Sequence, residues 1–184
     1  ILSGNNELIQ QAQNKYIELL NETPEDLALM HFHIISTTNN EQVRRLALIL
    51  LGNYFTLLDQ FKKNISAEAS QEIKLSLIMF FQNENFTQYH FEILTNVILK
   101  SAQYFKNNWP ELADQLISLL NHLNSIISST AVCCLAECIK KCLINQDKYF
   151  DVLFSYVQNS LNSPSEPFSI TVSSSLQLLY SLIH

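Results

Sequence analysis

The sequence predicts an all-α protein made of helical hairpins that recur about every 40 residues. Five segments without proline open with apolar residues at positions i, i+4 and i+8, a spacing that places them on one face of a helix. Successive triplets start 35 to 46 residues apart, with a second apolar segment between each pair. With only 2 glycines and 4 prolines in 184 residues, the chain has too few turn-forming residues for a sandwich or barrel. The triplets are Leu8/Ala12/Tyr16, Val43/Ala47/Leu51, Tyr89/Ile93/Val97, Ile127/Ala131/Leu135 and Phe168/Val172/Leu176.

A period of about 40 residues built from two helices is typical of HEAT repeats. The expected fold is therefore a HEAT-repeat α-α superhelix, a solenoid of about four and a half hairpins. One hairpin cannot bury its apolar face alone, so neighbouring hairpins are expected to stack. The last helix is still apolar at His184, which predicts that chain 1–184 is a single solenoid segment of a longer protein. The predicted repeats cover about residues 5–38, 40–83, 85–122, 125–162 and 165–184, the last incomplete.

Capping residues predict where the helices of the first two hairpins begin. The first helix is expected to start at Asn5 or Asn6 and to end near residue 21. Thr23 as N-cap, with Pro24 in the first helical position and acids after it, predicts the second helix. A third helix is expected from about residue 41 to 58, and Ser66 is the predicted N-cap of a fourth over about 67–81.

The later hairpins are predicted from similar signals. Trp109 and Pro110 mark the start of the second helix of the third hairpin, and Asp147 is the predicted N-cap of the second helix of the fourth. The fifth hairpin is expected after the proline-containing segment 163–167. The expected helices are about 86–105, 110–120, 125–143 and 148–161, which with the fifth hairpin's first helix brings the total to nine.

The charge balance excludes some classes of partner. The chain carries 17 acidic and 11 basic side chains, a formal charge of −6, which disfavours a nucleic-acid surface and is compatible with a basic protein partner. Its longest apolar runs are far shorter than a membrane span, and no signal peptide is visible at the start. We therefore expect an intracellular protein that binds neither nucleic acid nor membrane.

Four cysteines fall in one predicted helix. Cys134, Cys138 and Cys142 share a face, and Cys133 lies beside them. Consecutive turns of one helix cannot surround a tetrahedral zinc ion, and no histidine lies nearby at ligand spacing. Small buried thiols in a reducing compartment are the favoured interpretation, so no metal or cofactor is expected.

The sequence contains no pattern typical of an enzyme. It has no glycine-rich phosphate loop and no nucleophile elbow. His31 and His33 lie on opposite sides of their predicted helix and cannot form a metal pair. We expect a protein without catalytic activity.

Four stretches resemble the importin-beta (karyopherin-beta) superfamily. Residues 42–53, QVRRLALILLGN, resemble the first helix of its second repeat, and residues 1–6 resemble its opening "LLSPDN" segment. Residues 108–112, NWPEL, look like its "WPEL" motif, and 148–153, KYFDVL, look most like the importin beta-3 branch. Gly52 departs from the pattern, because a basic residue is common there. The residues that match the family motifs are Arg44, Ala47, Asn53, Trp109 and Pro110.

This resemblance implies a nuclear transport receptor. In that family the amino-terminal HEAT repeats bind the GTP form of the small GTPase Ran on a concave face lined by the second helix of each hairpin. Ran binding there is coupled to cargo release. Protein cargo and nucleoporins contact other parts of the full-length protein, which shuttles between cytoplasm and nucleus through the nuclear pore. The alternative is a generic HEAT-repeat scaffold or adaptor without Ran binding.

The candidate Ran-binding residues are positions on second helices that the core does not require. Glu68 with Glu72, and Glu111 with Asp114, project in pairs that would attract a basic partner. The alternative is that these acids only complement helix N-termini. Phe32 is favoured as a core residue and Arg44 as a stabilising one. Ala28 and Ser118 are also expected to lie off the core. The candidates are Phe32, Ser36, Glu68, Gln71, Glu72, Ser76, Glu111, Asp114 and Gln115.

Overall fold

A computed structural model describes residues 6–83, 85–162 and 170–183 of the chain. These residues form nine α-helices, one turn of 3-10 helix at Lys106–Asn108, and no β-strand. The all-α class is thereby confirmed. The helices are α1 (Asn6–Glu22), α2 (Pro24–Thr37), α3 (Glu41–Gln60), α4 (Ala67–Phe81), α5 (Gln88–Phe105), α6 (Leu112–Ser118), α7 (Ser125–Lys140), α8 (Gln146–Asn162) and α9 (Ile170–Ile183).

Side-chain caps explain where several helices begin. Ser66 Oγ accepts a hydrogen bond from Ala69 N at 3.2 Å, which confirms Ser66 as the cap of α4. Asn40 Oδ1 accepts from the backbone N–H groups of Gln42 and Val43 and caps α3. Pro24 occupies the first turn of α2, as its fixed φ favours.

Three details of the later helices differ from the sequence prediction. The cap of α8 is Asn145, whose Oδ1 accepts from Asp147 N at 3.1 Å, so the assignment to Asp147 is wrong. Helix α6 begins at Leu112 because Trp109 adopts a non-helical conformation with φ −128° and ψ 61°. Helix α7 ends at Lys140, and Cys142 lies beyond it with φ 53°. Cys142 is therefore outside the helix that holds the other cysteines.

The chain divides into two compact units, Ile1–Lys74 and Leu75–His184. In the first unit α2 packs against α1 and α3. Their common core is almost entirely apolar, and Tyr54 Oη within it donates to Pro24 O at 2.9 Å. Gly52 is buried in α3. The fully buried core residues of this unit include Leu20, Ile35, Leu48, Leu51, Tyr54, Phe55 and Leu58.

In the second unit α7 is the central helix and packs against α5, α6 and α9. Helix α8 also packs against α9. The rings of Phe81, Phe86 and Phe91 form an aromatic cluster in which neighbouring centroids lie 5.8 to 6.2 Å apart. Along the chain of this unit, α5 therefore contacts α7 and α7 contacts α9.

The predicted apolar triplets differ in burial. Ile127, Ala131 and Leu135 are completely buried, whereas Leu8 is 62% exposed. Helix α1 is the least buried of the first helices, with Leu20 as its single fully buried residue. Of the last triplet, Phe168 lies outside the described residues. Within the described residues, no helix is both long enough and apolar enough to cross a membrane.

Candidate protein-binding surface

Helix α2 has two apolar faces. Leu27, Ala28, His31, Phe32 and Ile35 form the face buried in the first unit. The expectation that Ala28 lies off the core is therefore wrong. Phe32, at 7% exposure, is a core residue, as the sequence favours, and not an accessible anchor. Among the α2 positions proposed for partner binding, Ser36 is exposed.

The other face of α2 is exposed and mainly apolar. Asp26, Leu29, Met30, His33 and Ile34 line a shallow groove of about 400 Å³. These groove residues escaped the sequence prediction because α2 is apolar on both sides, and periodicity alone cannot tell which side faces the core. Their one sequence signal is that apolar residues exceed the number a single buried face requires.

The start of α4 carries the acidic residues predicted for the first unit. Glu68, Gln71 and Glu72 are all exposed. Glu25 adds a further carboxylate near this helix end, because its Oε1 accepts from Ser66 N at 2.6 Å. Glu68 lies in the first turn, where a negative charge also complements the helix dipole. The exposed α4 acids can therefore stabilise the helix and present a negative surface at the same time.

The candidates of the second unit are more constrained by their neighbours. Ser76 is half-buried in α4, and Glu111 is exposed at the N-cap position of α6. Asp114 Oδ2 lies 3.8 Å from Lys148 Nζ on α8, and both side chains are mostly exposed. Lys148 Nζ also donates to Tyr149 Oη at 2.7 Å, and this hydrogen bond, followed by the charge of Asp114, raises the pKa of Lys148. Asp114 therefore has a basic neighbour within the unit.

Trp109 and Gln115 form an internal contact. The indole Nε1–H donates to Gln115 Oε1 at 3.1 Å, and the indole packs edge-on against Phe105 at a centroid distance of 5.9 Å. Trp109 is buried, whereas the adjacent Pro110 is exposed. Gln115 therefore orients the buried indole, and it is less available to a partner than the sequence suggested. Ser118, at the end of α6, is exposed and donates to Gln115 O.

Arg44 connects α3 to the carboxyl end of α2. Its Nε donates to Ile35 O at 3.2 Å and its Nη2 donates to Thr38 O at 2.5 Å. The last carbonyl groups of a helix have no partner within the helix, so the guanidinium provides one. This geometry supports the stabilising role favoured from the sequence. Of the other motif residues, Ala47 is buried and Asn53 is exposed.

His31 and Tyr16 form a polar contact between α1 and α2. His31 Nδ1 lies 2.7 Å from Leu27 O, and His31 Nε2 lies 3.5 Å from Tyr16 Oη, which itself donates to Leu50 O at 3.3 Å. Burial lowers the pKa of His31 and raises that of Tyr16. Both groups are therefore uncharged at neutral pH.

The cysteines contribute to packing in different ways. Cys134 and Cys138 are buried, whereas Cys142 is exposed. A hydrogen bond with Cys138 and burial raise the pKa of Cys134, so this thiol stays protonated. Cys133 Sγ lies 3.4 Å from Ser174 Oγ on α9. Within the part of the chain that the structure describes, no three His, Cys, Asp or Glu side chains converge on a point that could hold a metal ion.

The described residues form an all-α fold with exposed apolar side chains on α2 and exposed acidic side chains on α4 and α6. Comparisons with known proteins add no relative: no protein-family model, no curated protein and no solved structure matches this sequence.

Proposed function

We propose that this chain is an amino-terminal HEAT-repeat segment of an importin-beta-type nuclear transport receptor, and that it binds the GTP form of Ran. In this proposal the exposed surface of the second helices contacts Ran, and Ran binding is coupled to release of protein cargo. The protein would shuttle between cytoplasm and nucleus, with cargo and nucleoporins bound by other parts of the full-length receptor. Catalysis, nucleic acid and membranes have no part in it.

The observation that carries the proposal is the pair of exposed carboxylates Glu68 and Glu72, with the exposed amide of Gln71 between them, at the start of α4. Ran is proposed as the partner because residues 42–53 and 108–112 resemble importin-beta motifs. The packing within the second unit is compatible with stacked hairpins, because α5 contacts α7 and α7 contacts α9. Exposed charges of this kind mainly accelerate association with an oppositely charged partner.

In this proposal the main Ran contacts come from α4. Phe32 is buried, Gln115 orients Trp109 and Asp114 pairs with Lys148, so the strongest contacts are expected from α4. Ser36, Ser76 and Glu111 remain as secondary candidates.

The proposal is tested by biolayer interferometry with the immobilised chain and purified Ran. Ran loaded with a non-hydrolysable GTP analogue should bind, Ran·GDP should not, and binding should weaken as salt is raised. The double variant E68K/E72K should lower the affinity about tenfold or more, mainly through a slower association rate.

The matched control is E7K/E92K, which reverses two exposed acids on the first helices α1 and α5. It makes the same change of net charge and should leave Ran affinity within about twofold of wild type, since long-range charge effects are screened. Equal binding of the two nucleotide states, or binding of neither, would reject the Ran proposal in favour of a generic HEAT scaffold. An equal loss of Ran affinity in both double variants would show that the α4 acids are not the Ran contact.

A further inference from the structure

The exposed groove on α2 follows a regular helical spacing. Its lining residues Asp26, Leu29, Met30, His33 and Ile34 occupy positions i, i+3, i+4, i+7 and i+8. This spacing produces one continuous stripe along a helix. The stripe runs over more than two turns, with an acid at its amino-terminal end and an apolar floor in the middle.

The opposite face of α2 is already buried in the first unit. A helix that is apolar on both sides is normally covered on both sides. The stripe nevertheless leaves Leu29 41%, Met30 50% and Ile34 37% exposed. Grouped exposed apolar side chains with polar residues at the rim are characteristic of binding surfaces.

We infer that this groove binds an amphipathic α-helix of a partner protein, with a basic side chain placed next to Asp26. The stripe has the spacing by which one helix packs along another, so the partner should present apolar residues at i, i+3, i+4 and i+7. Met30 lies in the middle of the floor, and its unbranched thioether adapts to partner side chains of different shape. The charge of Asp26 and the formal charge of −6 of the chain both favour a basic partner over an acidic one.

This inference does not depend on Ran being a partner. It specifies the chemistry of the segment that α2 recognises, whichever protein carries that segment. The α2 groove and the α4 acids are separate sets of residues, so the two proposals can be tested separately.

The test uses synthetic fluorescein-labelled helical peptides and the intact chain, with fluorescence anisotropy as the readout. One peptide carries leucines at i, i+3, i+4 and i+7 and a lysine at each end, so that either orientation places a lysine near Asp26. A second peptide has glutamates in place of the lysines, and a third has the first peptide's composition in scrambled order. The lysine peptide should bind at least about tenfold more tightly than the other two.

Two groove variants then locate the site. Met30→Glu should weaken the lysine peptide about tenfold or more, because it places a charge in the apolar floor. Asp26→Lys should invert the preference, so that the glutamate peptide binds more tightly than the lysine peptide. The matched control is Met79→Glu, which changes a methionine that is 67% exposed and does not line the groove. All three positions are exposed, so circular dichroism should show folded proteins.

Inversion by Asp26→Lys together with a selective loss in Met30→Glu would support the groove. Absence of binding, equal binding of the three peptides, or equal loss in Met30→Glu and Met79→Glu would overturn it. If the peptides bind as expected while Ran·GTP does not, only the Ran proposal fails. If Ran·GTP binds but no peptide does, only the groove proposal fails.

Discussion

Replacing Arg44 by alanine should destabilise the first unit by about 2 kcal/mol. The guanidinium donates to Ile35 O at 3.2 Å and to Thr38 O at 2.5 Å. A hydrogen bond from a charged group contributes about 1.5 to 3 kcal/mol when buried, and half-burial reduces this to about 1 kcal/mol for each bond. With a urea m-value of about 2 kcal/mol/M, the unfolding midpoint should fall by about 1 M.

The adjacent Arg45 provides a matched control, because it is exposed on the same turn of α3. Arg45→Ala should cost less than Arg44→Ala, because interactions of an exposed guanidinium are weakened by solvent. Arg44→Lys keeps the charge but not the fork geometry, so it should lose about half of the stabilisation. Backbone amide hydrogens at the carboxyl end of α2 should exchange faster in Arg44→Ala than in wild type. The reasoning is refuted if Arg44→Ala and Arg45→Ala destabilise the chain equally.

Two further predictions concern buried polar groups. Burial lowers the pKa of His31, so the unfolded state binds a proton more readily than the folded state does. The contribution of neutral His31 to stability is therefore complete above the ordinary histidine pKa near 6.5. It is lost as the pH falls below that pKa. Thermal melts between about pH 7.5 and pH 5 should show a steeper loss for wild type than for His31→Gln, and parallel curves would contradict this. Trp109→Phe retains a ring against Phe105 but removes the donor to Gln115, so urea unfolding followed by circular dichroism should show a loss of about 1 to 2 kcal/mol. An unchanged midpoint would show that the Trp109–Gln115 hydrogen bond adds no stability.

Local signals predicted the positions of the helices well where a cap was unambiguous. Ser66 fixed the start of α4, and the predicted range 67–81 agrees with the structure. The end of α7 was missed because Cys142 adopts a positive φ without being glycine, and nothing in the local sequence indicates that conformation. The start of α6 was placed too early because proline after Trp109 looks like a first helical residue, although the turn continues to Glu111.

The sequence favours Phe32 as a core residue, which the structure confirms, but it does not show which of the other apolar residues of α2 face the core. Residues 27–35 contain apolar residues on both faces of the helix. The rule that apolar residues face inward is therefore compatible with either face packing against the core. The structure buries Phe32 and exposes Met30, because tertiary packing against α1 and α3 selects one of the two faces. The contacts of Gln115 with Trp109 and of Asp114 with Lys148 were also beyond prediction, since they depend on the folded positions of neighbouring segments.

The most direct test of the proposed function is a calorimetric titration of the chain with Ran in its two nucleotide states. The account predicts a saturable heat signal with Ran bound to a GTP analogue and none with Ran·GDP at the same concentration. Identical titration curves for the two states, or no heat with either, would contradict it.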